Sequence, residues 1–204
     1  MDELNEFTET LKSNSSVFGV ALSPQALSGL GDYYSLLTRW NARLHLVAPC
    51  SPAEFATRHV LESLMLLEHL PQHAKIADIG SGAGLPIIPC VIVRPDLRPI
   101  LIESSQKKSV FLTEAAKQLH LAATVIAKPF EDVPPPDVSF ITCRALEQFT
   151  EKVPALLRWA PPASTLLFYG GETLRQELSN ASVKFDEFKI PLSERRFLFV
   201  ITTR

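Results

Sequence analysis

IADIGSGAGLPIIP, residues 76–89, decides how the rest of the chain is read. An apolar run closes on Asp78, glycines follow at alternate positions (Gly80, Gly82, Gly84), and Pro86 and Pro89 come where a helix should begin. A strand that stops at a glycine turn before a helix is the ligand corner of an open α/β sheet. Ligands there lie beyond the carboxyl ends of the strands, and glycine lets the backbone take positive φ and approach a ligand closely. Proline is harmless in the first helical turn, where the N–H groups have no intrahelical partner. A helix is therefore expected with Leu85 or Pro86 as its cap, stopped by Pro95.

On the C-terminal side, β-rich runs alternate with helical stretches. Strands are expected at Lys75–Ile79, 100–102, 124–127, 138–142 and 165–169, with helices at 106–120 and 146–159 between them. Such alternation implies a parallel sheet with helices on both faces. Residues 183–190 and 197–202, separated by Pro191-Leu192-Ser193-Glu194, read as an antiparallel pair at a sheet edge. On the N-terminal side the first 70 residues read as helical. Ser23-Pro24 is a cap followed by proline, and Ser51-Pro52-Ala53-Glu54 is a capping box from which Val60, Leu64 and Leu67 recur at helical spacing. The expected organisation is a helical segment, 1–70, packed on an α/β domain, 71–204.

The loop also constrains its ligand. A dinucleotide fingerprint needs G-x-G-x-x-G, and after Gly80 and Gly82 the third position is Leu85. Asp78 beside a pyrophosphate would cost roughly 2–3 kcal/mol for each charge pair at ~6 Å and an effective dielectric of ~20. A cationic, phosphate-free ligand reverses that sign, and S-adenosylmethionine carries a sulfonium and an ammonium. Glu103, at the end of the second strand, is placed to accept hydrogen bonds from ribose hydroxyls. The alternative, an NAD-dependent oxidoreductase, would use the same acid.

Bulk properties exclude several classes. The 204 residues are 46% hydrophobic and 21% charged, an ordinary globular balance. The N-terminal MDELNEFTETLKSNSS is acidic and polar, unlike a signal peptide, and no run approaches the ~18 apolar residues that cross a bilayer. Cys50, Cys90 and Cys143 form no CxxC pair, and the histidines lack metal-ligand spacing, so neither disulfides nor a metal site is expected. A soluble cytoplasmic protein with free thiols is expected, and a monomer is taken as its working form. A net charge of −2 is not that of a protein coating nucleic acid by charge alone, so any RNA would be gripped by a local patch.

IADIGSGAGLPIIPCVIVRPD followed by LIESSQKKSVFL resembles the bacterial small-subunit ribosomal RNA guanine-N7 methyltransferases (glucose-inhibited division protein B). WNARLHLVAP (40–49), RHVLES (58–63), CRAL (143–146), YGGE (169–172) and ERRFLFVI (194–201) match the same family in order and spacing. The resemblance implies a seven-stranded, Rossmann-like class I methyltransferase sheet preceded by helices. It also implies methyl transfer from S-adenosylmethionine to a guanine N7 of 16S ribosomal RNA, free or in the small-subunit particle. Carried over by position, cofactor contacts fall on Gly80, Leu85, Pro129, Phe130 and Arg144, beside Asp78, Gly82 and Glu103 from the loop argument. Arg144 is also the catalytic candidate, since a guanidinium at the carboxyl edge can hold phosphate or the guanine O6 edge. The family usually carries Lys-Gly where this chain has Tyr169-Gly170. A divergent, non-catalytic RNA-binding module is the alternative. Arg58, His59 and Arg195-Arg196 read as local ion pairs or solvated charge as readily as substrate contacts, and Lys107-Lys108 reads as a solvated charged face.

Overall fold

The computed structural model describes residues 2–144 and 149–203. Helix α1 (Glu3–Asn14) leads through a 3-10 turn into α2 (Pro24–Leu44). A continuous helical run then begins as α3 (Pro52–Glu54), widens into a π-helical stretch at Phe55–Leu61, returns as α4 (Glu62–Leu64) and tightens to 3-10 geometry over Met65–His69. Both expected caps form: Ser23 Oγ accepts from Ala26 N and Ser51 Oγ from Glu54 N, each at 3.1 Å. Only half of the reciprocal box is made at Ser51, because the Glu54 carboxylate turns to Arg58 at 2.9 Å.

The chain then alternates: β1 (Lys75–Ile79), α5 (Ile87–Val93), β2 (Arg98–Ile102), α6 (Gln106–Gln118), β3 (Thr124–Ile126), β4 (Phe140–Arg144), α7 (Phe149–Trp159), β5 (Thr165–Gly170), α8 (Glu172–Asn180), β6 (Phe185–Lys189) and β7 (Phe197–Thr202). The seven strands order as β3-β2-β1-β4-β5-β7-β6; β1 to β5 are parallel, and β7 runs antiparallel to β5 and β6. Chain order reverses between β1 and β4, so the loops after those two strands flank the crevice where open α/β sheets take ligands. Pro86 caps α5 and Pro89 is its third residue, inside the turn that tolerates proline. The expected beginning of the seventh helix at Leu146, and Ala145 of CRAL, lie outside the described residues.

Side-chain alternation along the strands divides the core in two. Ile76, Leu101, Leu167, Tyr169 and Leu198 join the core formed with the N-terminal helices, α5 and α6. Ala77, Ile79, Ile141, Cys143, Leu166 and Phe168 join the opposite core, with Val153 and Leu156 of α7 and Leu174 and Leu178 of α8. By the same alternation Asp78, Thr142 and Arg144 face the N-terminal helices. That choice of face decides the site.

The N-terminal segment is held by aromatic packing. Phe7 is fully buried, stacks on Tyr34 with ring centroids 4.5 Å apart, and touches Phe55 at 6.0 Å. The π-helical stretch lies between this cluster and the sheet. Periodicity read from the cap could not reveal it, since its widening presents carbonyls to a side chain of β4. Phe7→Ala is expected to cost about 3–5 kcal/mol of stability in urea unfolding, from lost transfer free energy and the cavity left behind. A loss below 1 kcal/mol would mean α1 is not part of the cooperative core.

Candidate active site

The glycine loop is built as its spacing requires. Gly80, Gly82 and Gly84 have φ of 68°, 52° and 84°, and at Gly84 a Cβ would also strike Ile88. Three links fix the loop. Gly80 N donates to Ile102 O at 2.8 Å, Gly82 N donates to Glu103 Oε2 at 2.8 Å, and Tyr33 OH of α2 donates to Ala83 O at 2.9 Å. The other Glu103 oxygen accepts from Ser105 N at 2.8 Å. Glu103 thus ties the two loops together and keeps a lone pair on each oxygen for a further donor.

Asp78 does not sit on a pocket lip. It is fully buried beneath the loop, where Oδ1 accepts from Thr142 Oγ1 at 2.7 Å and Oδ2 has no hydrogen-bond partner among the described residues. Parallel register sets Asp78 opposite Thr142, so this pairing is a consequence of the sheet. Burial pushes the carboxyl from an ordinary 3.8 up to about 7; hydrogen bonds from Thr142 and Ser81 oppose the shift, and Glu103 adds to it. The negative lip expected from sequence is therefore two acids under the loop, with Glu103 only 6% exposed.

A cavity of about 590 Å³ opens beside the loop. Its floor includes Gly80, Ser81, Gly82, Ala83 and Leu85, and Leu46, Val47 and Ala48 form part of its rim. Asn41 shapes that rim, since its side chain bonds both N and O of Val47, at 2.9 and 3.1 Å. Arg58, Lys108, Arg144 and Arg196 also line the cavity, and among the described residues Glu62 is its one lining acid. Pro129 and Phe130 are not among the lining residues; Phe130 is buried in the opposite core, edge-on to Trp159.

Arg144 crosses from the sheet to the helical run. Nη2 donates to Arg58 O at 2.7 Å and contacts Glu62 Oε2 at 3.3 Å, while Nη1 reaches His59 O and Ser63 Oγ at 3.4 Å. Register puts Arg144 opposite Tyr169, and the guanidinium lies 5.6 Å from that ring's centroid. The Tyr169 hydroxyl donates to Glu62 O at 2.7 Å. Arg196 Nη2 meets the other Glu62 oxygen at 2.7 Å. Burial raises the Glu62 carboxyl to about 6 although Arg144 and Arg196 pull it down. Burial lowers the His59 imidazole to about 3, helped by the Arg144, Arg58 and Arg196 cations, so it is neutral. With Arg144 as donor at 3.4 Å, His59 Nδ1 is the acceptor.

Sequence spacing missed Glu62, Arg196, His59 and Tyr169 as members of one cluster. They converge from a helical run, a strand end and the turn before β7, and no local pattern links them. The available signal was chemical, in RHVLES and ERRF as charged groups flanked by apolar residues that must be buried.

Seven strands in this order, with a glycine loop after β1 and an acid after β2, define a class I S-adenosylmethionine-dependent methyltransferase. A methyltransferase of that class from Aquifex aeolicus superposes with a TM-score of 0.60 at 16% identity, covering 83% of this chain and 98% of the other. A methyltransferase from Pyrococcus furiosus gives 0.60 at 10% identity, covering 83% and 94%. The family model described as rRNA small subunit methyltransferase G matches residues 26–193. Proteins named ribosomal RNA small subunit methyltransferase G are 35% identical in Sorangium cellulosum, over 82% of this chain and 73% of that one, and 39% identical in Gluconobacter oxydans, over 75% and 79%. In an Anaeromyxobacter strain the figures are 31% over 92% and 93%. The chain belongs to the rRNA small subunit methyltransferase G family, and the dinucleotide alternative is set aside.

The residues present fit S-adenosylmethionine. The positive-φ loop permits close approach, and Glu103 retains acceptor capacity at the strand end. No group of three His, Cys, Asp or Glu among the described residues could hold a metal ion, and no described helix is long and apolar enough to cross a membrane.

The buried carboxyls make stability depend on pH. Asp78 is protonated in the folded chain up to about pH 7 but ionises near 4 when unfolded, so its contribution is greatest below pH 4 and is lost as pH rises through 7. Glu62 acts in the same direction over a narrower window ending near 6. Asp78→Asn keeps an acceptor for Thr142 and removes the ionisation. It should flatten the fall in Tm between about pH 4 and 7 and raise Tm at about pH 8. Equal pH slopes in the variant and the parent would refute this assignment.

Proposed function

We propose that this protein transfers the methyl group of S-adenosylmethionine to N7 of a guanine in 16S ribosomal RNA, free or within the small-subunit particle. The carrying observation is the cavity wall: Arg58, Lys108, Arg144 and Arg196 around a glycine loop, with Glu62 the lining acid among the described residues. A chain with net charge −2 has concentrated cations where a polyanion would enter.

Bound S-adenosylmethionine supplies an already activated methyl. Guanine N7 carries a lone pair and no proton, so no general base has to act. That suits a cavity whose one histidine, His59, is neutral and hydrogen-bonded to Arg144. The chain's task is positioning: Gly80, Gly82 and Leu85 admit the cofactor, Glu103 takes its ribose hydroxyls, and Arg144 faces the nucleotide. Holding the two reactants at near-attack distance is the principal source of rate. Asp78 supports the loop from below, and Pro129 and Phe130, which do not line the cavity, are given no contact with the cofactor. A target base within a helix would have to leave its stack. The same reading takes residues 71–204 as the methyltransferase domain, residues 1–70 as a helical segment packed on it, the cytoplasm as the compartment and a monomer as the working form.

Two measurements test the reading. Deleting the gene should remove one 7-methylguanine from small-subunit RNA by mass spectrometry; finding every methyl intact would overturn the target. Glu103→Ala should weaken S-adenosylmethionine binding roughly ten- to a hundredfold in calorimetry, the scale of charge-assisted hydrogen bonds. An unchanged affinity would remove Glu103 from the cofactor site.

A further inference from the structure

We propose that Glu62 is a positioning residue for the RNA side of the reaction: its carboxylate clamps Arg144 and Arg196 together, so that the cavity presents the target nucleotide with a fixed pair of guanidiniums. This rests on the RNA methyl-transfer reading above and names the residue through which both arginines act.

The geometry is that of a clamp. Glu62 Oε1 lies 2.7 Å from Arg196 Nη2 and Oε2 lies 3.3 Å from Arg144 Nη2, with the Glu62 side chain 3% exposed. Its backbone and that of Ser63 are held from two other elements. Tyr169 OH of β5 donates to Glu62 O at 2.7 Å, and Cys90 Sγ of α5 donates to Ser63 O at 3.2 Å. Arg196 has few other restraints. Nε donates to Ser193 Oγ at 3.0 Å, and Nη1 is buried with no partner among the described residues. Behind it the chain is close-packed, since a Cβ on Gly171 would come within 3.0 Å of Arg195 O. Arg144 and Arg196 are like charges from separate elements, and Glu62 is the carboxylate that both of them contact.

Stability is a poor reason for this arrangement. A buried ion pair commonly loses more in desolvation than it gains in attraction, and burial does raise the Glu62 carboxyl. Substrate chemistry gives a better one. Guanine shows O6 and N7 as neighbouring acceptors, and a free arginine takes both at once. Such a contact would cover the N7 lone pair that must receive the methyl. Guanidiniums held on a carboxylate can serve O6 or a flanking phosphate and stay off N7.

The test uses Glu62→Gln and Glu62→Asp in the full chain, with small ribosomal subunits from a strain lacking the gene. Simple Coulomb attraction predicts that removing an anion from a cationic wall tightens RNA binding. Positioning predicts the opposite sign: Glu62→Gln should raise KM for the subunits by roughly ten- to a hundredfold, the scale of a misplaced contact. The S-adenosylmethionine Kd should stay close to the parent's, Tm should fall because two guanidiniums lose their shared carboxylate, and Glu62→Asp should recover part of the loss in KM. Unchanged or tighter subunit binding in Glu62→Gln would overturn the clamp, as would an equal loss of cofactor affinity. If the parent itself transfers no methyl, the methylation reading has failed, and filter binding of small-subunit RNA by parent and Glu62→Gln still decides the clamp by its sign.

Discussion

A guanidinium cannot be buried without partners, and Arg144 finds its partners in a segment that precedes it by more than 80 residues. That requirement joins the two parts of the molecule. The strand sets the direction of the side chain by alternation, and register sets Tyr169 beside it. The helical run answers by widening to π geometry over Phe55–Leu61, where the carbonyls of Arg58 and His59 meet the guanidinium. π-Helical turns are rare and concentrate at functional sites, and here the reason is visible: a side chain from the sheet is received by the helix backbone.

The N-terminal helices therefore do more than cover a sheet face. Tyr33 of α2 holds the carbonyl of Ala83 in the glycine loop, and Asn41 fixes the turn that lines the cavity. Phe7 and Phe55 support the π stretch from behind, and Phe55 packs on His59 with ring centroids 5.2 Å apart. A loop that admits a cofactor and a wall that faces RNA are thus braced by one segment. Its packing energy is apolar, while its contacts to the site are polar.

Charge is sorted by depth. Asp78 and Glu103 lie under the loop, and the cavity surface carries Arg58, Lys108, Arg144 and Arg196. The chain is slightly acidic overall yet presents a basic recess. A local basic recess lets a slightly acidic chain discriminate for a polyanion at one place. Burial explains why the two acids behave differently. Glu103 is satisfied by two backbone N–H groups, whereas Asp78 Oδ2 has no hydrogen-bond partner among the described residues and burial drives the carboxyl toward its neutral form.

The glycine loop, the prolines of α5, the first strand to the residue, the alternation of strands and helices as far as β5 and the antiparallel final pair were legible in the sequence, whereas α8 was not anticipated. Each is dictated locally: glycine by positive φ, proline by its missing N–H, strands by period and helix starts by serine caps. The acid at the end of β2 was legible for the same reason, since spacing from the loop places it. What spacing could not decide was depth. Asp78 reads identically whether its carboxylate faces a ligand or lies beneath the loop, and only the packing of α2 and the 52–69 run over that face of the sheet buries it. Nor could it reveal the meeting of Glu62, Arg144, Tyr169 and Arg196. Local rules fix backbone conformation within a few residues, but a charge network closes across the whole chain, and its partners are chosen by the desolvation that tertiary packing imposes.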